Sequence, residues 1–277
     1  MSTNGTVSTP LGSVVPRRFP GRIIKAGDPD TETVTAIQHR LNELGCGPLE
    51  EDGVFDNDKT KNAVELFQAR FPDAEGHPLT VDGEVGMHTW SALFGTASVP
   101  SNSSAPSPLT KAAIEFAGSQ VGILEDPLGS NRGPEVDDYL RAVGLNPVGH
   151  SFPWCVAFTH FCYLQAADQL SVANPHIKTA GVLDHWNKAG GTAGVVRVTT
   201  AQAMEDPSLV KPGSLFILAT GGDAGHSGMV ISTANGRLET IEGNTNDNGS
   251  REGIGVFRRS SRKISGINRG FIDYSGF

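Results

Sequence analysis

At 277 residues, with 38% hydrophobic and 19% charged residues and 34 glycines, the chain has the make-up of a loop-rich globular protein of one large or two modest domains. A formal charge of −8 with no dense Lys/Arg run argues against a dedicated nucleic-acid binder, and no stretch approaches the ~18 apolar residues of a membrane span. Three cysteines (Cys46, Cys155 and Cys162) make no disulfide framework and leave at least one thiol free, which suits synthesis in a reducing compartment.

Met1 to Arg22 lacks the apolar core of a secretory signal, and Phe19-Pro20-Gly21-Arg22 follows the Arg17-Arg18 pair where a twin-arginine signal needs an apolar run. Residues 1–28 therefore read as a flexible or loosely docked leader on a cytoplasmically made chain. From Thr33 the pattern turns helical: Val34, Ile37, Leu41 and Leu44 recur at helical spacing, and Gly45 ends the run. After an Asp52-Gly53 turn a second helix carries Ala63, Val64, Leu66 and Phe67; after Asp82-Gly83 a third runs from His88 to Phe94. Two D-G-x-[FV] turns among three short helices suggest a small bundle, or the halves of an internal duplication. Cys46 has no His or Cys at zinc spacing and reads as structural. These helices make a domain over residues 29–96, and the Ser/Pro/Ala-rich stretch 97–108 reads as a semi-extended linker.

In residues 109–277, helices over Leu109–Val121, Glu135–Leu140 and Val182–Ala189 frame the central one, which begins near Cys155 after the helix-stopping Pro153. Val156 to Leu170 is apolar on nearly every face, as in a helix buried in a domain interior. The chain then changes character. Ser214–Leu218, His226–Ser232, Leu238–Ile241, Ile254–Arg258 and Arg269–Tyr274 are short strand-like runs, so the fold class is α+β, helices packed on an antiparallel sheet.

A thiol at a helix N-terminus ionises readily, and a cysteine nucleophile needs an imidazole to carry its proton and a third group to hold that imidazole. His160 lies five residues along the same helix, rotated ~140° away from Cys155. His150 lies in the preceding loop and could approach. His226 is the better candidate, opening a strand among the small residues Gly225, Ser227 and Gly228, which leave room for a substrate backbone. Glu242 and Asn244, two residues apart on one strand face, each offer an acceptor for its second nitrogen. Trp154 either walls a cleft or caps the core, and Trp186 reads as core. Asn244-x-Asn246-x-Asn248-Gly249 lacks the starting Asp and final Glu of a calcium loop. The Glu125-Asp126 pair reads as a solvated acidic turn in preference to calcium ligands, and no HExxH motif or zinc cluster occurs, so no metal or cofactor is expected.

Two resemblances follow from these residues. Ile37-Gln38-x-x-Leu41, Asp52-Gly53-x-Phe55, Thr60, Ala63-Val64-x-x-Phe67-Gln68, Asp82-Gly83-x-Val85-Gly86 and Thr89-Trp90-x-x-Leu93 resemble the peptidoglycan-binding domain 1 family. Asp56, where that family has Gly, and the long stretch Arg70 to Val81 depart from its pattern. Asn131-Arg132-Gly133-x-x-Val136-x-x-Tyr139-Leu140, Pro153-Trp154-Cys155-x-Ala157-Phe158, Lys211-Pro212-Gly213-Ser214, Gly225-His226-x-Gly228 and Glu242-Gly243-Asn244-Thr245 resemble a CHAP domain, a cysteine- and histidine-dependent amidohydrolase/peptidase of papain-like fold. The resemblance implies Cys155 as nucleophile, His226 as base and then acid, Glu242 as its orienter and Asn244 as a supporting polar group. Trp154, Asn131, Gly225 and Thr245 stand as its candidate substrate contacts. A monomeric peptidoglycan hydrolase is the expectation, cutting a sugar–peptide or a peptide amide and reaching the wall through a phage holin or a secretion apparatus. In the latter setting a cognate immunity protein would be a partner. The alternatives are an idle wall-binding protein and an amidase acting on a small amide.

Overall fold

The computed structural model describes residues 17–222, 224–246 and 253–277, and the chain divides after Val99 into two compact units. Most of the expected leader, residues 1–16, lies outside the described residues, as do Asn248 and Gly249 of the calcium-loop-like stretch. Among the described residues no helix is long and apolar enough to cross a membrane.

The first unit is built on helices α1 (Thr31–Glu43), α2 (Lys59–Arg70) and α3 (Met87–Phe94). Asp30 caps α1 by accepting from the Thr33 N–H, and Val34, Ile37 and Leu41 turn one face into a core shared with Val64, Phe67 and Trp90. Leu66, grouped with the apolar positions of α2 on sequence, is 44% exposed and lies off that face. The duplication suggested by the two Asp-Gly turns is visible in the hydrogen bonds. On α1, Gln38 Nε2 donates to Asp52 Oδ1 (2.8 Å) and Val54 O, with Thr60 Oγ1 at 3.3 Å, and its Oε1 accepts from Gly53 N. On α2, Gln68 makes the same set with Asp82 Oδ1 (2.8 Å), Glu84 O, Thr89 Oγ1 and Gly83 N. Each glutamine ties a turn whose glycine has positive φ to the start of the next helix. Asp56 replaces glycine to good effect, since its Oδ1 accepts from Asp58 N and Thr60 N at the head of α2.

The leader boundary moves. Phe19 and Ile24 are buried, Ile24 bridges to Val85, and Trp90 Nε1 donates to Arg17 O, so residues 17–28 complete the core that three short helices leave uncovered. The expected linker is also structured at both ends. Thr96–Ser98 forms a 3-10 turn and Ser98 O accepts from Phe19 N, while Asn102 bridges to Thr233 and Ser107 caps the next helix.

The second unit contains α4 (Pro108–Ser119), α5 (Pro134–Ala142), α6 (Cys155–Leu170), α7 (Val182–Ala189) and α8 (Thr200–Glu205) with strands β1 (Val196–Thr199), β2 (Leu215–Gly221), β3 (Ala224–Ala234), β4 (Arg237–Thr245), β5 (Gly255–Lys263) and β6 (Gly270–Asp273). The strands form one antiparallel sheet in the order β1-β6-β2-β3-β4-β5. Alternation divides its side chains between two cores. Leu215, Ile217, Met229, Ile241 and Ile272 meet α4, α5 and α6, while Phe216, Val230, Leu238 and Phe271 meet Ala203 of α8, Val210 and Ile264. Each such side chain, fully buried, contributes about 1.5–3 kcal/mol. β1 and α8 were not anticipated from sequence. A two-residue turn at Asn235-Gly236, both at positive φ, joins β3 to β4, whose register shifts between Val230 and Ser232 before Met229 pairs with Ile241.

Candidate active site

Cys155 is the first residue of α6, with Trp154 at the cap position, so its sulfur sits at the positive end of a sixteen-residue helix. Burial alone would push this thiol up. The His226 imidazole facing it, with the backbone N–H groups of Ser227 and Val156, brings it below its ordinary value instead. Burial likewise pushes His226 down, and the sulfur and Glu242 outweigh that, raising its pKa to about 9. Both shifts favour the thiolate–imidazolium form of the pair.

His226 directs Nε2 to Glu242 Oε2 at 2.8 Å, which leaves Nδ1, buried and without a hydrogen-bond partner among the described residues, as the nitrogen free to serve Cys155. The alternative left open between Glu242 and Asn244 thus falls to Glu242. This carboxylate is fully buried, which would raise its pKa, yet it is held at about 2. The cause is a two-pronged bond from Arg262, Nε to Oε1 at 2.5 Å and Nη2 to Oε2 at 2.6 Å, together with His226. Thr240 Oγ1 also donates to Oε1 at 2.6 Å. Arg262 and Thr240 were missed on sequence. Gly228 makes room for this arrangement: a Cβ there would lie 2.6 Å from Glu242 Cγ and 2.8 Å from Phe216 Cε1. Its vacancy serves the carboxylate, and at Gly225 the side-chain direction is filled by Leu218 O and Val182 while the residue itself lines the cleft.

A cleft of about 750 Å³ opens over Cys155 and His226. Asn131, Gly225 and Asn244 line it, the last at φ +53° with its Oδ1 buried and without a hydrogen-bond partner among the described residues. Trp154 and Thr245 do not line it. Trp154 is fully buried against Tyr139 and Phe158, and its Nε1 donates to Glu125 Oε1 (2.8 Å); Thr245 is fully buried in β4. A residue at the cap of a helix can aim outward or inward, and here the tryptophan turns in. Glu125 is accordingly no solvated turn residue: it is 3% exposed, and its second oxygen accepts from Asn131 N. Trp186 is half-buried, packed against the core at its margin with Arg197 over its ring.

The other histidines stand apart from the thiol. His150 stacks on Phe152 in the loop. His160 faces the opposite way from Cys155 and meets His176 (Nδ1 to Nδ1, 3.2 Å), beside which lie His185 and Tyr274. Of possible metal ligands among the described residues, only Asp73, Glu75 and His77 in the first unit bring three donor atoms together, and Asp73 Oδ1 already accepts from two amides of its own turn.

Residues 30–93 match the family model of the putative peptidoglycan binding domain, and residues 147–244 match that of the CHAP domain. No curated protein and no solved structure matches the chain. The chain thus joins a peptidoglycan-binding domain to a CHAP domain, an architecture of cell-wall hydrolysis or wall binding, with peptidoglycan as its partner.

Proposed function

We propose that this chain, a peptidoglycan-binding domain followed by a CHAP domain, hydrolyses an amide bond in the peptide part of peptidoglycan through Cys155, His226 and Glu242. The observation that carries the reading is the buried line of Cys155, His226 and Glu242, with a sulfur held below and an imidazole held above their ordinary proton affinities at the floor of a cleft. The Cys155 thiolate attacks the amide carbonyl carbon, and the Cys155 N–H at the helix start donates to the developing oxyanion. The imidazolium gives its proton to the departing amine as the C–N bond breaks, leaving a thioester. Neutral His226 then takes a proton from water, the hydroxide attacks the thioester, and the thiolate departs as the acid is released. Glu242 keeps the ring oriented throughout and takes no proton, because it already accepts four hydrogen bonds.

Mass spectrometry of fragments released from purified peptidoglycan by wild type and Cys155→Ala tests the reading. Sugar-free stem peptides would identify an N-acetylmuramoyl-L-alanine amidase, and shortened stems or opened crosslinks an endopeptidase. No Cys155-dependent release from any wall type would refute it and leave a wall-binding protein or a small-amide hydrolase. The reading places the protein's action at the cell wall, as a phage endolysin or an injected antibacterial effector; a neighbouring holin or immunity gene distinguishes the two.

A further inference from the structure

We propose that Arg262 is a further member of this site, a positioning residue whose guanidinium fork clamps the Glu242 carboxylate against His226 and neutralises its buried charge. The inference rests on the Cys155–His226–Glu242 reading above. Both prongs of the fork are short, 2.5 Å and 2.6 Å, and they reach different oxygens. Any rotation of the carboxylate about its last bond breaks one of them, so Oε2, which also accepts from His226, cannot swing away. The fork is itself held, with the guanidinium carbon 4.6 Å above the Phe216 ring, whose centre lies 5.7 Å from that of His226.

The charges facing Glu242 are Arg262 and Arg259 from β5 and His226 from β3, with the Cys155 sulfur of α6 behind His226. Arg259 is no substitute: its Nε stays 3.8 Å from Oε1, and its Nη1 donates to Asn246 O. Thiolate, imidazolium, carboxylate and the Arg262 guanidinium sum to zero, with Arg259 a further positive charge at longer range. Without Arg262 the buried carboxylate loses its two shortest charged donors and its nearest cation, which favours protonation of Glu242. A neutral Glu242 supports the imidazolium less, and through it the thiolate less. Arg262 also lies beyond residues 147–244, the stretch that matches the CHAP family.

The test is the pH dependence of Cys155 alkylation by iodoacetamide in the full chain, followed site by site by mass spectrometry. It needs no substrate, so failure of the wall-hydrolysis reading, seen as no Cys155-dependent fragment release, is distinguishable from failure of this one. In Arg262→Met the acid inflection of Cys155 alkylation is expected to move upward by about one pH unit or more. Arg262→Gln, a donor without charge, is the second variant should the first not fold, and the same shift is expected of it. Arg262→Lys, charge without the fork, should recover most of the inflection. Profiles superimposing on wild type in either folded neutral variant would overturn the proposal, as would a Lys variant shifted as far as the Gln variant.

Discussion

The second unit buries histidines in two settings, and their proton affinities end on opposite sides of the ordinary value. His160, His176 and His185 pack on one another and on Tyr163 and Tyr274, with Thr159 and Ile177 supplying neutral partners. Desolvation holds His160 at about 4 and His185 at about 3, and pushes His176 well below its ordinary value, with its histidine neighbours adding to it. His226 is just as buried, yet it rises to about 9 because an ionised carboxylate and a sulfur are buried with it. The two thiols of α6 repeat the lesson. Cys155 is lowered at the helix start beside His226, while Cys162, two turns on, is driven well above its ordinary value by burial alone. Burial sets the size of the effect, and the enclosed counter-charge sets its sign.

The sharpest way to break the comparison is to remove the sulfur. Cys155→Ala should reduce wall cleavage by at least ~10³-fold while the protein still melts cooperatively, and fragment release measures it. Next is the carboxylate. Glu242→Gln should lower kcat by about 10²-fold or more, and the uncompensated Arg262 should cost about 3–5 kcal/mol in urea unfolding. Wild-type activity should peak between the two ionisations, falling in acid as the thiolate is protonated and in alkali as His226 loses its proton near 9.

The neutral cluster predicts a stability effect of known sign. Its histidines bind protons less readily folded than unfolded, so their contribution is present above ~6.5 and lost as pH falls through about 4 and 3. His185→Gln should therefore flatten the loss of stability between pH 6.5 and 4 by about 1.4 kcal/mol per pH unit, the share of one proton, as read from urea midpoints. The smallest effect belongs to the uncharged clamps of the first unit. Gln38→Ala and Gln68→Ala should each cost about 1–3 kcal/mol near pH 7, by similar amounts, because each strands turn amides and takes one donor from an aspartate, Asp52 or Asp82.

What could be read from sequence was what local spacing encodes. The helix starting at Cys155, the strand opening at His226 and the acceptor at Glu242 each carry a signal within a few residues, and the Asp-Gly turns disclosed the duplication. What escaped depends on distant partners. Arg262 meets Glu242 only through the β4–β5 pairing, whose register shifts twice, between Leu238 and Thr240 and between Glu242 and Thr245. Phe19 and Ile24 looked like leader residues because their partners Trp90 and Val85 come 71 and 61 residues later. β1 is four residues long and mostly exposed, so it has no apolar alternation to betray it. The inward turn of Trp154 depends on Glu125, which a pattern of acidic residues alone made look like solvent-facing surface.

The resting charge of His226 is the claim on which the mechanism stands, and nitrogen-15 NMR of the imidazoles reads it directly. At pH 7 the account predicts both His226 nitrogens protonated in wild type, with the ring moving toward neutrality in Cys155→Ala, while His160, His176 and His185 stay neutral in both. A neutral His226 in the wild-type protein at that pH would contradict it.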